Sequence, residues 1–118
     1  MSYVDGFVVP VPSDRIEDYR RVAELTCEVW REHGALRYFE CVVDEHDDEN
    51  KHSFPEGIAA RDGETVVLAW IEYESREHRD EVNAKVMKDP RMTGFESEKM
   101  PFDCKRILHG GFNVIVED

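Results

Sequence analysis

TVVLAWIEY, residues Thr65 to Tyr73, sets Val66, Leu68 and Trp70 on one side of an extended chain and Val67, Ala69 and Ile71 on the other. Side chains along a strand alternate between faces, so a segment that is apolar on both sides needs cover on both. One layer of helices protects only one of them. The second face needs another answer, and the flanking sequence indicates which.

Upstream, Tyr3 to Val11 is rich in Val and Phe and is checked by Pro10 and Pro12, which reads as a first strand. Leu36 to Val43 reads as a second, and Ile107 to Val116 as a fourth, with a bulge expected at Gly110 and Gly111. Between the first two strands, Ile16, Tyr19, Val22, Ala23, Val29 and Trp30 share one sector of a helical wheel. Asp14 and Glu17 have the spacing of a capping box there, and Gly34 supplies the stop. A second helix is expected from the cap Ser75 to Asp89, ended by Pro90. Asp44 to Phe54 is polar and acidic and reads as a solvated loop, with Pro55 and Gly57 marking turns. Arg91 to Asp103 reads as irregular or a short helix, with Met92, Phe95, Met100 and Phe102 as a lid on one end of the core.

The order βαββαβ predicts an α+β fold: a four-stranded antiparallel sheet with both helices on a single face. A bare second face would leave an apolar patch larger than monomers tolerate. Sheet-to-sheet pairing into a homodimer is therefore expected.

The 118 residues suit one domain, 1–118. A net charge of −12, from 27 acidic against 15 basic residues, repels phosphate backbones, so nucleic acid is not expected as a partner. The longest apolar run, Val66 to Ile71, is too short to span a bilayer, and no signal segment is visible, so neither membrane nor export is expected. Cys27, Cys41 and Cys104 share no zinc or disulfide spacing, which fits a cytoplasmic setting. Glu45, His46, Asp48, Glu49 and His52 have no recognised metal-ligand spacing, and no glycine-rich nucleotide motif occurs. Neither a metal nor a cofactor is expected.

The stretches SYVDGFVVPVP, VWREHGALRYFECVVDE, GETVVLAWIEYESREHRDEVNAKVMKDPRM and MPFDCKRILHGG resemble the YbaA-like family of small bacterial proteins, a domain of unknown function. The resemblance covers nearly the whole chain. It implies a ferredoxin-like fold assembled as a dimeric α/β barrel, and it carries no reaction, cofactor or catalytic residue. Relatives of that architecture include cofactor-free monooxygenases, haem-handling enzymes and stress-response modules, so the fold leaves function open.

On the second helix Val82 and Val86 define the buried stripe, with Arg79 between them and His78 and Asn83 flanking. A guanidinium turned toward a core must be paired. Arg79 either bends to the rim or meets a strand carboxylate, or it joins Asn83, His78 and Trp70 around a small-molecule pocket between helix and sheet. In a ferredoxin-like sheet the first and last strands are neighbours, which makes Asp5 and His109 a candidate acid/base couple or a plain structural pair. Trp30 and Trp70 are core fillers or pocket walls. Cys104 has no evident base beside it. Two functions remain: a cofactor-free enzyme acting on a small molecule, and a non-catalytic ligand-binding or interaction module.

Overall fold

The computed structural model describes residues 2–44, 53–93 and 99–118. Strand β1 spans Tyr3–Pro12, helix α1 Ile16–Glu32, β2 Arg37–Val42, the short helix α2 Phe54–Gly57, β3 Glu64–Tyr73, α3 Arg76–Met87, the single turn α4 Pro90–Thr93, and β4 Leu108–Asn113. All neighbouring strands are antiparallel and the sheet order is β2-β3-β1-β4.

The odd residues of β3 face the helices, paired with the odd residues of β1 and the even residues of β2. Val9, Val11, Val67 and Ala69 pack there with Tyr19 and Ala23 of α1. Tyr3, Ile71 and Tyr73 pack with Val29, Val82 and Val86, so α1 and α3 share one core. On the other face lie Val4, Val8, Phe39, Leu68, Trp70, Leu108 and Phe112. Leu68 is 39 %, Leu108 57 % and Phe112 60 % exposed in the single chain. Among the described residues of that side, Val66 and Pro10, paired at one end of the two central strands, are buried.

Local chemistry departs from the sequence reading at four places. Helix α1 enters through a 3₁₀ turn at Ser13–Arg15, which moves its N-cap to Arg15, a side chain with no acceptor, and the Ser13 amide donates to the Gly63 carbonyl at 2.8 Å, tying the turn to the loop before β3. Helix α3 is capped by Ser75 as expected but stops at Met87. Asp89 then caps α4, its carboxylate accepting from the Arg91 amide at 2.9 Å, so Pro90 opens a turn of helix where its missing N–H costs nothing. Ser53 and Pro55 likewise start α2 where only turns were expected.

Gly110 and Gly111 form no bulge, since β4 pairs with β1 in unbroken register from Leu108 to Asn113. The glycine at 111 answers to packing. A Cβ there would fall 1.9 Å from the Tyr3 hydroxyl, because the Tyr3 ring lies across the strand. Gly34, with φ +117°, ends α1 as expected, its amide bonding to the Arg31 carbonyl at 3.2 Å. Phe95 and the metal-ligand candidates Glu45, His46, Asp48, Glu49 and His52 lie outside the described residues. Within the proposed lid, Met92 packs on the core and Phe102 meets Tyr19 edge-on at 5.5 Å. Among the described residues no helix is long and apolar enough to cross a membrane.

Candidate functional site

Strand alternation puts Tyr38, Glu40 and Val42 of β2 on the helix side of the sheet, beneath α1. The gap between α1 and β2 is not filled. A cavity of about 360 Å³ is bounded by Ile16, Tyr19, Ala23, Cys27, Glu40 and Val67, with Arg20 and Glu24 among its lining. A second, of about 200 Å³, is walled by Phe7, Trp30, Ile71, Phe102 and Ile107. Both are also lined by Tyr19, Ala23, Tyr38 and Glu40, so the partly buried Glu40 carboxylate stands where the two meet.

Each Glu40 oxygen accepts one phenol proton: Oε1 from Tyr19 at 2.6 Å and Oε2 from Tyr38 at 2.6 Å. Both bonds lie in the short range found when a hydroxyl donates to a carboxyl group. Burial raises the Glu40 pKa above the ordinary carboxylate value, and the two phenols oppose that shift. Burial first, then the Glu40 charge, pushes both phenols above their usual range and keeps them protonated as donors. No ion pair involving Glu40 occurs among the described residues. Burial also raises the Cys27 pKa, which holds that thiol protonated on the cavity wall.

The network runs on into the helix. Tyr38 Oη lies 2.7 Å from Thr26 Oγ1, which lies 2.9 Å from the Ala23 carbonyl. Counting protons gives this chain two directions. With Glu40 ionised, Tyr38 gives its proton to the carboxylate, and Thr26 must choose between the phenol and the helix carbonyl. With a donor at position 40, the chain reverses: position 40 donates to Tyr38, Tyr38 to Thr26, and Thr26 to the Ala23 carbonyl, with every proton used. Proton uptake at Glu40 and hydrogen bonding inside α1 are thereby coupled.

Because burial raises the Glu40 pKa on folding, the folded chain holds a proton that the unfolded chain has lost just above the ordinary carboxylate value. Stability linked to this group is therefore greatest below that value and falls as pH rises through the folded pKa. Glu40→Gln keeps the shape and completes the reversed chain. It should unfold about 1 kcal/mol less readily than the wild type at pH 7 and lose that advantage near pH 4. Urea midpoints at the two pH values measure it, and a variant weaker at pH 7 would contradict the assignment.

Arg79 points inward, as the helical wheel predicts, and meets a strand carboxylate. Its Nη1 bonds to Asp5 Oδ1 at 2.6 Å, its Nε to Asp80 at 2.8 Å, and its guanidinium lies 5.0 Å from the Tyr3 ring centroid. Asp5 is 7 % exposed, and burial outweighs the Arg79 charge, so its pKa is raised. Asn83 Oδ1 accepts from Trp30 Nε1 at 3.2 Å, joining α3 to α1. The His78 amide donates to the Ser75 cap, its Nδ1 accepts from the Glu74 amide, and its ring meets Tyr73 edge-on at 5.8 Å. Trp70 does not join this group. It belongs to the even face of β3, opposite Asp5 and Arg79, where it stacks on Phe39 at 4.6 Å and donates to Glu72. Asp5 and His109 share a face, but β1 pairs Asp5 with Gly111 and sets His109 beside Phe7, against which its ring stacks at 6.1 Å. Asp5 takes its short bond from Arg79, and His109 is the smallest of the charges acting on it.

Residues 2–104 match the family described as protein of unknown function DUF1428. The chain belongs to that family. Within it, the uncharacterized protein YbaA of Escherichia coli strain K12 is 46 % identical over 118 residues, covering all of both chains, and YbaA of Shigella flexneri matches equally. The crystal structure of a dimeric ferredoxin-like protein from an uncultured marine organism aligns over 100 % of both chains with a TM-score of 0.56 and 15 % identity, which bears on the fold alone. The DUF1428 chain described here thus has the ferredoxin-like α+β architecture expected of it. The sequence places Glu40 between Tyr38 and Val42 on one face of its strand, but the cluster it forms is not legible there, because its partner Tyr19 comes from another element.

Proposed function

We propose that the protein is a homodimer that binds a small organic molecule between α1 and the sheet, anchored at Glu40 and not at Arg79. The observation that carries the reading is the Glu40 carboxylate, held on both oxygens by phenols at 2.6 Å where two cavities meet. Holding a shielded charge with no ion-pair partner among the described residues costs stability, which is characteristic of a binding site and not of a packed core. The Arg79–Asp5 pair lacks that property, because each charge there has its partner.

A homodimer fits the uncovered sheet face of Leu68, Leu108 and Phe112. It is also the assembly named for the structurally similar ferredoxin-like protein. A second reading, acid/base chemistry without a cofactor, is favoured by one feature: the reversible proton chain from Glu40 through Tyr38 to Thr26, which would let Glu40 take up and return a proton without orphaning a neighbour.

Ala23 lines both cavities. Ala23→Met should fill the shared space while keeping helix propensity, so saturation-transfer NMR signals from a fragment library, present with the native chain, should vanish with the variant while its melting curve stays cooperative. Fragments that bind the variant as well as the native chain would place the ligand elsewhere.

A further inference from the structure

We infer that the ligand class taken by this cavity is a hydrophobic organic cation, an aryl-alkyl ammonium, docking its charge on Glu40. The inference rests on the cavity reading above and goes further by naming the chemistry of the occupant. Three observations meet at one place.

The first is charge. The Glu40 carboxylate offers about four lone-pair positions, of which the phenols of Tyr19 and Tyr38 occupy two. Two acceptor positions remain, and a primary ammonium brings three donors and the missing positive charge. Of the other charged residues lining the larger cavity, Glu24 adds a second negative charge, and Arg20 is engaged by the exposed Glu17 at 3.2 Å. An anionic ligand would meet repulsion from Glu40, whereas a neutral alcohol would leave the carboxylate uncompensated.

The second is the lining. Tyr19 and Tyr38 stand beside the carboxylate, and Phe7, Trp30 and Phe102 line the smaller cavity. Aromatic faces attract cations and bury flat apolar groups, so walls of this kind suit both the ring and the charged end of such an amine. The third is the long-range field. A chain carrying −12 concentrates cations around itself and depletes anions.

The probes are 2-phenylethylammonium, 2-phenylethanol and phenylacetate, titrated calorimetrically into the full-length native protein at pH 7. The ammonium should bind about tenfold or more tightly than the alcohol, and phenylacetate should give no heat. Glu40→Gln, shown to be folded by its melting curve, should weaken the ammonium about tenfold and so remove its preference over the alcohol. The inference is overturned if the alcohol or phenylacetate binds as tightly as the ammonium, if none of the three binds, or if the folded Gln variant keeps the ammonium. Should the Gln variant fail to fold, the contrast among the three probes on the native chain decides alone. The cavity reading itself stands or falls separately, on whether Ala23→Met abolishes fragment binding.

Discussion

Arg79→Met should destabilise the protein by about 3–5 kcal/mol, the cost of leaving a buried carboxylate without its partner. The Asp5 carboxylate receives its 2.6 Å bond from the Arg79 guanidinium, and burial already raises its pKa while that charge is present. Methionine preserves the apolar stem over Tyr3 and removes only the charge, so packing loss is not the cause. The variant should also recover on acidification. With the folded pKa of Asp5 raised further, its stability is greatest below the unfolded value and is lost as pH rises through the folded one. Asp5→Asn in the Arg79→Met background should restore a large part of the loss at neutral pH. Urea midpoints across pH 4 to 8 measure all three. An Arg79→Met variant within about 1 kcal/mol of wild type would show that the pair is solvated and energetically idle.

Phe112→Asp should convert the proposed homodimer into a monomer, weakening self-association by about a thousandfold, or ~4 kcal/mol, the scale of a central interface anchor. Phe112 is 60 % exposed in the single chain, and its ring lies against Gly6, where an added Cβ would come within 3.3 Å. With Leu108 and Leu68 it makes an apolar surface on the sheet face opposite the helices. A carboxylate placed there would have to be desolvated in the pair, while in the monomer it is simply hydrated. Light scattering during size exclusion should give a dimer mass for the wild type at micromolar concentration and a monomer mass for the variant. A wild type that stays monomeric over the whole range would show that this face is not a self-association surface.

The elements that were legible in the sequence are those set by local rules. Two-residue alternation in Thr65–Tyr73 fixed the faces of β3, and Ser75 and Gly34 carry helix-end chemistry in their own side chain or backbone. What failed depends on register. The wheel turns Arg79 inward, where the structure also has it, but a wheel cannot say which strand lies beneath, and so the sequence groups Trp70 with Arg79 although the two are on opposite sides of the sheet. At Gly111 the sequence suggests a bulge because a strand glycine has several uses, and only the neighbouring strand reveals that a Tyr3 ring occupies the place of its Cβ. The Tyr19–Glu40–Tyr38 cluster escaped for the same reason: its residues come from α1 and β2, 21 positions apart at the widest bond, and meet only once α1 is laid across the sheet.

The overlap of Tyr3 with Gly111 carries an evolutionary consequence. Residue 3 is among the first of the chain and residue 111 among the last, yet each sets the permitted size of the other, because the ring lies where a side chain at 111 would begin. The two positions should therefore drift as a couple. Descendants that acquire even an alanine at 111 are expected to carry a smaller residue at 3. That trade would also expose the guanidinium of Arg79, which now shelters over the ring. A change in β4 would thus constrain β1 and α3 together.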